Sequence, residues 1–413
     1  MKLAFLSYPY RCYTDSLYER NPSLGACSYA AQYQGFVEDA FHWIGAWETA
    51  FGALGHEVFG ILANAKPLQR AWANENSLSW SELHWQVQVA TAQLRKFKPD
   101  VLLLYEASGF DASWLDQIRV DCPSLRMVLG FSASPSGDPA TLRRCDIALS
   151  SCPPVIKKFE RAGCRTHYFP HAFNPNIVDR LPSRNPIREQ VLFSGSIVRA
   201  DGYHFKREKV LEALVAQVAI VLHCPEEEYS FIRDLIRTTG RRGIYALMKS
   251  LELLGVDLEK RRRIPIIGPA AKWTNLPQSQ ISPHLSRFMR PPVYGMEMMN
   301  LLRSAAVALN DHGEICEGYT SNMRMFEATG VGSCLLTDAT RDLATFFEPD
   351  REVVAYNSPE ECVEKARWLL AHPKEREGIA LAGQKRTLRE HCYNHRAANL
   401  NELVHNFFKG ASV

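Results

Sequence analysis

The sequence predicts an α/β fold in which two Rossmann-like domains face each other across a cleft. Its 413 residues exceed what one hydrophobic core usually serves, so two domains of roughly 200 residues each are expected. Short, continuous apolar runs alternate with helical or polar segments, which is typical of parallel strands covered on both faces. The same pattern restarts after a polar, proline-bearing stretch at residues 174–190, which we interpret as an interdomain linker.

The first domain is predicted over residues 1–180. Its opening run, Lys2 to Tyr8, indicates a buried strand, and a polar and aromatic loop follows. A helix that ends near Gly55 is indicated by apolar residues at three- and four-residue steps, namely Phe41, Ile44, Trp47, Phe51 and Leu54. The remaining strands are predicted from four apolar runs: HEVFGILAN, DVLLLYE, LRMVLGF and CDIALSS.

The second domain is predicted over residues 187–394. QVLFSGS and VAIVLHC indicate its first two strands, with a helix at about 205–217 between them, and a helical insertion is expected at about 225–292. Helix-then-strand segments follow in MEMMNLLRSAAVALND and SNMRMFEATGVGSCLLTD, and then an amphipathic helix in EECVEKARWLLAH. A terminal helix within residues 395–413 is a candidate to pack back on the first domain.

Composition and charge favour a small-molecule substrate over a nucleic acid. The net charge is only +3, from 48 Lys and Arg against 45 Asp and Glu. Eleven scattered cysteines match no zinc or disulfide framework, which favours a reducing cytoplasm. The N-terminal apolar run is too short for a signal peptide or a membrane span. The basic run Lys260 to Arg263 is interpreted as a solvated helix end, with an anionic acceptor or a peripheral membrane contact as alternatives.

The segment from Thr320 to Asp338 has a layout that suits a nucleoside diphosphate. Free backbone amides at the start of its predicted helix suit a phosphate, and Arg324 in the first turn adds a full positive charge. Three polar residues precede this helix and are expected to take part in binding: Thr320, Ser321 and Asn322.

Glu327, one turn after Arg324, can accept hydrogen bonds from ribose hydroxyls. Gly330 and Gly332 then permit a tight turn and a close backbone approach before the next strand. The structural alternative is that Arg324 and Glu327 form no more than a surface ion pair at i, i+3 spacing.

These residues also carry a resemblance to a known family. RMFEATGVGSCLLTD, followed by FEPDREVVAYNSPEECVEKARWLLAHPKEREGIALAGQKRTLREHCYNHR, resembles the C-terminal half of the group-1 bacterial glycosyltransferases, closest to the CgeB-like subgroup. The resemblance covers roughly the last 120 residues, from Tyr294 onward. It implies the GT-B fold and the transfer of a sugar from a nucleoside-diphosphate sugar to an acceptor hydroxyl, without a metal or another cofactor.

The resemblance also implies roles for particular residues. Glu327 stands where the second glutamate of the family's paired-glutamate motif binds the donor ribose. The first glutamate of that motif should stand at position 319, which is Tyr319 here, and Glu317 lies two residues away. This departure leaves open which residue contacts the donor sugar, and whether the reaction retains or inverts the configuration of the sugar.

The turn that opens the second domain is a further expected donor contact. FSGS resembles the glycine-bearing turn whose backbone amides face the donor phosphates in this family, which assigns Gly195 and Ser196 to donor binding. A plain β-turn is the alternative. Arg207 matches the place of a basic residue for the diphosphate, and with Arg324 it would replace a metal as the counter-charge to the leaving nucleotide.

The acid and base groups are expected on the first domain, because the acceptor hydroxyl must face the anomeric carbon across the cleft. Glu106 follows a strand at its carboxyl end, and Asp39 is predicted in the first turn of the first helix. Structural roles are the alternative for both carboxylates. His42 and His171 are comparable candidates.

Several functional alternatives remain open from the sequence. Six tyrosines between Tyr8 and Tyr33 either cap the core or form a stacking platform for a sugar or an aglycone. A sugar-nucleotide epimerase of the same fold, and a non-catalytic nucleotide-binding structural protein, are the rivals to a glycosyltransferase.

Overall fold

Two separate six-stranded parallel sheets form the core of the structure, a computed structural model that describes residues 1–105, 109–134, 137–182, 188–197, 204–225, 231–262, 264, 270 and 283–410. Helices accompany both sheets, so the predicted α/β fold of two Rossmann-like domains is confirmed. Among the described residues, none of the helices has the length and hydrophobicity that crossing a lipid bilayer requires.

The first sheet is built from the N-terminal half of the chain. Its strands are β1 (Lys2–Ser7), β2 (Glu57–Leu62), β3 (Val101–Tyr105), β4 (Met127–Phe131), β5 (Ile147–Ser150) and β6 (Thr166–Tyr168), in the order β2-β1-β3-β4-β5-β6. The helices of this half are α1 (Arg11–Arg20), α2 (Tyr29–Asp39), α3 (Ala46–Gly52), α4 (Lys66–Glu75), α5 (Trp85–Phe97), α6 (Ala112–Asp121), α7 (Pro139–Leu142), α8 (Pro153–Arg161) and α9 (Asn176–Arg180). Every residue of β3 and β4 is buried, as interior parallel strands require.

The second sheet follows the crossover between the domains. Its strands are β7 (Arg188–Ser194), β8 (Ile220–His223), β9 (Met289–Arg290), β10 (Ala305–Asn310), β11 (Cys334–Asp338) and β12 (Val354–Tyr356), in the order β12-β11-β10-β7-β8-β9. The helices are α10 (Phe205–Val215), α11 (Phe231–Leu253), α12 (Leu258–Arg262), α13 (Pro283–Ser286), α14 (Gly295–Ser304), α15 (Met323–Gly330), α16 (Leu343–Phe346), α17 (Pro359–Ala371), α18 (Pro373–Glu390) and α19 (Tyr393–Phe408).

Each sheet has one point at which its strand order reverses direction. In the first sheet this point lies between β1 and β3, and in the second sheet it lies between β7 and β10. Ligands of open α/β sheets bind outside the carboxyl ends of the strands at such a point. The ends of β1 and β3, and those of β7 and β10, are therefore the two places where the fold favours a ligand.

The helix predicted around Phe41 is interrupted, and the predicted position of Asp39 is wrong. Asp39 is the last residue of α2, and a turn separates it from α3. Three residues of this turn have positive φ, namely Ala40 (49°), His42 (54°) and Gly45 (77°), and a right-handed helix cannot continue through such a backbone. Phe41 is buried all the same, which explains why the apolar spacing resembled one continuous helix.

The two domains are joined by close packing around the crossover. Phe173, Ile177 and Leu181 already belong to the apolar core that contains Phe326 of α15. A Cβ atom at Gly330 would lie 2.4 Å from Cγ of Phe173, so the last residue of α15 has room only for glycine. The terminal helix α19 lies in the same apolar cluster as β1 and α3 of the first domain.

Candidate functional site

A cavity of about 520 Å³ opens at the carboxyl ends of β7 and β10, and we call it the second-sheet cavity. Its volume falls within the range of about 300–1,000 Å³ that is usual for small-molecule sites. Tyr10, Phe41 and His42 of the first domain also line it, so it lies between the domains. Six of the eight predicted donor-binding residues line this cavity: Gly195, Ser196, Arg207, Asn322, Arg324 and Glu327.

The start of α15 forms one wall of the second-sheet cavity. Asn322 caps this helix, and its Oδ1 accepts a hydrogen bond of 2.9 Å from the backbone amide of Arg324. The Nε of Arg324 donates to the carbonyl of Ser194 at the end of β7, over 3.0 Å. Arg324 therefore fixes the start of the helix to the strand on which the predicted glycine turn is built.

Glu327 forms the i, i+3 pair with Arg324, but its carboxylate is buried and the guanidinium is half-buried. The Nη1 of Arg324 lies 2.6 Å from Oε2 of Glu327, whose residue surface is only 4% exposed. Burial raises the pKa of Glu327, and the charge of Arg324 opposes that shift. The pair is thus part of the cavity wall, where a charged ligand would change the electrostatic interaction between Arg324 and Glu327.

Gly195 and Ser196 form a tight turn at the end of β7. The backbone amide of Gly195 donates to the carbonyl of His223 over 3.0 Å. This amide is therefore used by the neighbouring strand β8 and is not free for a phosphate in this arrangement. A Cβ atom at Gly195 would lie 3.1 Å from the ring of Phe193, so the turn is closely packed. The donor-binding role of the turn stays a prediction.

Arg207 uses most of its hydrogen-bond donors within the protein. Its Nη1 donates to the carbonyl of Ser196 over 2.7 Å, its Nη2 donates to the carbonyl of Asp311, and its Nε lies 3.4 Å from Oδ1 of Asp311. Its side chain is 7% exposed. Arg207 therefore holds the Ser196 turn against the end of β10, and Asp311 offsets its charge.

Thr320 and Ser321 have different surroundings. Thr320 is buried, with its backbone amide donating to Asp342 over 2.8 Å and its hydroxyl hydrogen-bonded to Thr340. The hydroxyl of Ser321 lies 3.0 Å from that of Ser151 in the first domain. Ser321 lines a second cavity next to the first, so it and Thr320 are less directly placed for a donor than Asn322 is.

The second cavity, of about 580 Å³, opens at the carboxyl ends of β1 and β3, and we call it the first-sheet cavity. Tyr8 and Tyr105 line it at these strand ends. It shares four lining residues with the second-sheet cavity, which makes the two cavities adjacent: Tyr10, His42, Asn322 and Met323.

His42 lies at this junction. Its ring stacks on Phe41 with the centroids 3.7 Å apart, and its backbone φ of 54° is uncommon for a residue other than glycine. Burial, followed by the charges of Arg324 and His171, lowers the pKa of His42 well below its ordinary value. The imidazole is therefore neutral near neutral pH.

His171 lines the first-sheet cavity. Its Nε2 lies 3.1 Å from the hydroxyl of Ser151, which continues the hydrogen-bonded series to Ser321 across the domains. Burial, with a smaller contribution from Arg396, lowers the pKa of His171 to about 4. Like His42, it is a neutral group in the cavity wall.

The two predicted carboxylates are less well supported by their surroundings. Both carboxylate oxygens of Asp39 accept hydrogen bonds from Arg20, over 3.2 and 3.3 Å, and Asp39 packs against Gly295 of the second domain. These contacts favour the structural alternative for Asp39. Glu106 lies outside the described residues.

The departure at position 319 places an aromatic ring where the family has a carboxylate. The guanidinium of Arg341 lies 5.5 Å from the ring centroid of Tyr319. Glu317 is exposed, on a turn with φ of 48°. Tyr319 is half-buried, and which of the two residues contacts the donor sugar stays open.

A buried polar cluster at the ends of β10 and β11 was missed. The Nδ1 of His312 lies 2.7 Å from Oδ1 of Asp338, and the hydroxyl of Tyr356 donates to Oδ2 of Asp311 over 3.2 Å. Burial alone would raise the pKa of Asp338, but His312 lowers it, and the lowering prevails. Polar residues directly after an apolar strand are the signal that could have indicated this cluster.

In the part of the chain that the structure describes, no three His, Cys, Asp or Glu side chains are grouped as a metal ion would need. Independence from a metal stays a prediction, which only an assay can decide.

Comparisons with known proteins agree on the fold. Residues 241–402, less than half of the chain, match the family model described as "Glycosyl transferase-like". No match was found among curated proteins. The chain is similar in structure to sucrose-phosphate synthase from Thermosynechococcus elongatus, with 13% identity, a TM-score of 0.54 and 100% of both chains covered.

Two further solved structures are similar over nearly their whole length. AviGT4, a glycosyltransferase involved in avilamycin A biosynthesis, shows 14% identity and a TM-score of 0.53, with 100% of this chain and 99% of that chain covered. HepE of Anabaena in complex with UDP-glucose shows 11% identity and a TM-score of 0.51, with 98% and 100% covered. These similarities confirm the predicted GT-B fold.

Proposed function

We propose that this chain is a metal-independent glycosyltransferase of the hexosyltransferase type. The donor, a nucleoside-diphosphate sugar, binds in the second-sheet cavity, and the acceptor hydroxyl enters from the first-sheet cavity. The observation that carries the proposal is that the two cavities lie at the two strand-order reversals and meet at shared residues, among them His42 and Asn322. A donor and an acceptor can therefore meet at this junction.

The diphosphate of the donor binds at the start of α15. Arg324 and the helix amides supply positive charge there, and they stabilise the nucleoside diphosphate as it leaves. Glu327 is buried beside Arg324 and accepts hydrogen bonds from ribose hydroxyls. Arg207 acts as a positioning residue, because Asp311 and two carbonyl groups occupy its guanidinium.

UDP-hexoses are the first donors to test. The support for this choice is the fold similarity with HepE, which was solved in complex with UDP-glucose. The C-terminal resemblance further supports the CgeB-like subgroup. We also place the enzyme in the cytoplasm, because all eleven cysteines are free thiols.

His42 takes the proton of the acceptor hydroxyl. The acceptor oxygen bonds to the anomeric carbon, while the bond from that carbon to the phosphate oxygen breaks and the nucleoside diphosphate leaves with the electron pair. His42 lines both cavities, so its imidazole is the titratable group best placed to receive the proton. A bound diphosphate beside Arg324 offsets the charge that lowers the pKa of His42, and thereby strengthens this base.

A thermal-shift series with UDP-, GDP-, ADP-, CMP- and dTDP-sugars tests the donor site. A ligand at 100 times its Kd stabilises the folded state by about 2.7 kcal/mol. For a domain of this size that corresponds to a rise in Tm of about 5–10 °C. We expect one nucleotide class to give such a shift, and the absence of a shift with every class would refute the proposal.

The matched control for this series is a second Arg–Glu pair at i, i+3 spacing. Arg351 lies 2.8 Å from Glu348 and is 74% exposed, far more than Arg324. Arg324→Ala should abolish the nucleotide shift, and Arg351→Ala should keep it. Release of nucleoside diphosphate only when an acceptor is present supports a transferase, whereas conversion of the donor alone supports the epimerase alternative. Activity that EDTA abolishes would contradict independence from a metal.

A further inference from the structure

Aromatic rings form one wall of the first-sheet cavity. Trp43 and Tyr105 lie with their ring centroids 3.9 Å apart, and Tyr105 stacks on Phe131 at 4.3 Å. All three line the cavity. Rings packed in this way form a rigid, apolar wall, because each ring fixes the orientation of the next.

Tyr8 and Tyr10 also line this cavity, so the six tyrosines near the N-terminus divide into two groups. Tyr13 is fully buried, and Tyr18, Tyr29 and Tyr33 pack against the same apolar cluster, so these four cap the core. Tyr8 and Tyr10 instead line the first-sheet cavity.

The positions of Tyr8 and Tyr10 are held by neighbouring side chains. The phenol oxygen of Tyr8 accepts a hydrogen bond of 2.6 Å from Gln86. Tyr10 is 59% exposed as a residue, and its ring stands edge-on to His42, with the centroids 5.6 Å apart. Asn64 donates to the carbonyl of Pro9, which lies between the two tyrosines and fixes their segment.

Polar atoms are interspersed among these rings. Four side chains that line the cavity each carry a buried nitrogen or oxygen with no hydrogen-bond partner among the described residues: His42 Nδ1, Trp43 Nε1, Asn64 Oδ1 and His171 Nδ1. The indole nitrogen can only donate and the amide oxygen can only accept, whereas a neutral imidazole does one or the other. A hydroxyl group both donates and accepts, so a ligand with several hydroxyls can pair with donors and acceptors alike.

The cavity offers little fixed charge. Among its described lining residues there is no Asp or Glu, and the one Arg or Lys is Arg11. The side chain of Arg11 is 91% exposed and lies 3.5 Å from Asp15. Of the three histidines that line the cavity, His42 and His171 are neutral near neutral pH, because burial lowers the pKa of both. The third, His312, is already paired with Asp338, whose Oδ1 lies 2.7 Å from its Nδ1. Among the described lining residues, a phosphate, carboxylate or ammonium group would therefore find no buried charge that is not already paired.

We propose that the first-sheet cavity binds an uncharged sugar ring, so that the acceptor is a neutral glycoside. The C–H face of such a ring packs against the aromatic walls, and its hydroxyls pair with the interspersed polar atoms. This inference rests on the proposed transferase function for its role in catalysis. The binding of the sugar ring can nevertheless be measured without a donor.

Saturation-transfer NMR on the full chain tests the inference directly. Aromatic protons of the protein are saturated in the presence of uncharged methyl hexosides, and saturation of the sugar ring protons is recorded. We expect at least one methyl hexoside to show transfer, and Tyr10→Leu and Tyr8→Leu to weaken it at least threefold. Trp368→Leu is the control, because it removes an exposed aromatic ring on α17 that stacks on His372.

The same sample decides between acceptor classes. Hexose 6-phosphate and a serine- and threonine-containing peptide are added in competition, and binding or glycosylation of either of these alone would overturn the inference. A methyl hexoside signal that both tyrosine variants leave unchanged would also overturn it. If nucleotide sugars fail to bind while methyl hexosides bind as expected, the transferase proposal falls and the assignment of this cavity stands. Nucleotide binding without any glycoside binding would overturn the assignment of this cavity and leave the donor site of the transferase intact.

Discussion

Replacing Arg324 with methionine separates the structural role of this residue from its role in binding. The substitution keeps most of the side-chain volume but leaves the buried carboxylate of Glu327 without the guanidinium that now lies 2.6 Å away. Removing one partner of a buried ion pair costs about 3–5 kcal/mol, a large part of a total stability of about 5–15 kcal/mol. We expect Arg324→Met to lower the Tm of the second domain by about 6–20 °C.

The destabilisation of Arg324→Met depends on pH in a defined direction. Burial raises the pKa of Glu327, so the folded state binds the proton more tightly than the unfolded state does. Stability is therefore greatest at low pH and is lost as the pH rises from the unfolded pKa of this glutamate through its folded pKa. Without Arg324 that pKa rises further, and urea unfolding at pH 5 and pH 8 should show a smaller penalty at pH 5.

The double variant Arg324→Met with Glu327→Gln gives the decisive result. A neutral amide in place of the carboxylate removes the uncompensated charge, so most of the stability lost in Arg324→Met should return. The nucleotide-induced rise in Tm should not return, because the phosphate still lacks its cation. If the double variant regained both stability and nucleotide binding, Arg324 would be no more than half of a structural ion pair, and our assignment of the donor site would be refuted.

Three other substitutions test the remaining parts of the site. His42→Gln should lower kcat by about 100-fold or more and retain the nucleotide-induced Tm shift. Loss of the Tm shift together with kcat would contradict the role of His42 as the base. Gly330→Ala should destabilise the protein by about 1–3 kcal/mol in urea unfolding, because the new Cβ overlaps the ring of Phe173; a stabilised variant would contradict this packing. Asp338→Asn should lower the stability at pH 7 and make the loss of stability toward acid pH less steep. His312 lowers the pKa of Asp338, so the stability that this pair contributes is lost as the pH falls through the lowered pKa. An acid unfolding profile equal to that of the unchanged protein would contradict this role of the pair.

The fold could be predicted because both sheets are parallel and covered by helices. Such strands are buried on both faces, so β3 and β4 appear in the sequence as unbroken apolar runs. Short edge strands lack this signal, and β6, in which His167 and Tyr168 are exposed, was missed for that reason. The break between α2 and α3 was missed because Phe41 stays buried in the turn and preserves a helical spacing.

The donor side of the site could be predicted further than the acceptor side. A helix start with a nearby Arg and Glu is a local pattern, and Asn322, Arg324 and Glu327 meet in one cavity as that pattern requires. The acceptor side depends on contacts between distant segments. His42 gains its position from a strained turn, and Tyr10 from packing against that turn, so no spacing in the sequence distinguishes either of them from a core residue.

The short helix α15 connects the ligand site to the packing between the domains. Its first turn carries Arg324 in the cavity wall, and its last residue, Gly330, packs against Phe173 of the crossover. Eight residues span only about 12 Å, so any shift of the helix at its Arg324 end must be accommodated at its Gly330 end, against Phe173. Gly330 has no side chain that could change rotamer to absorb such a shift, and the ring of Phe173 is itself buried. We therefore expect a change in packing at Gly330, which lines neither cavity, to shift Arg324 in the wall of the second-sheet cavity.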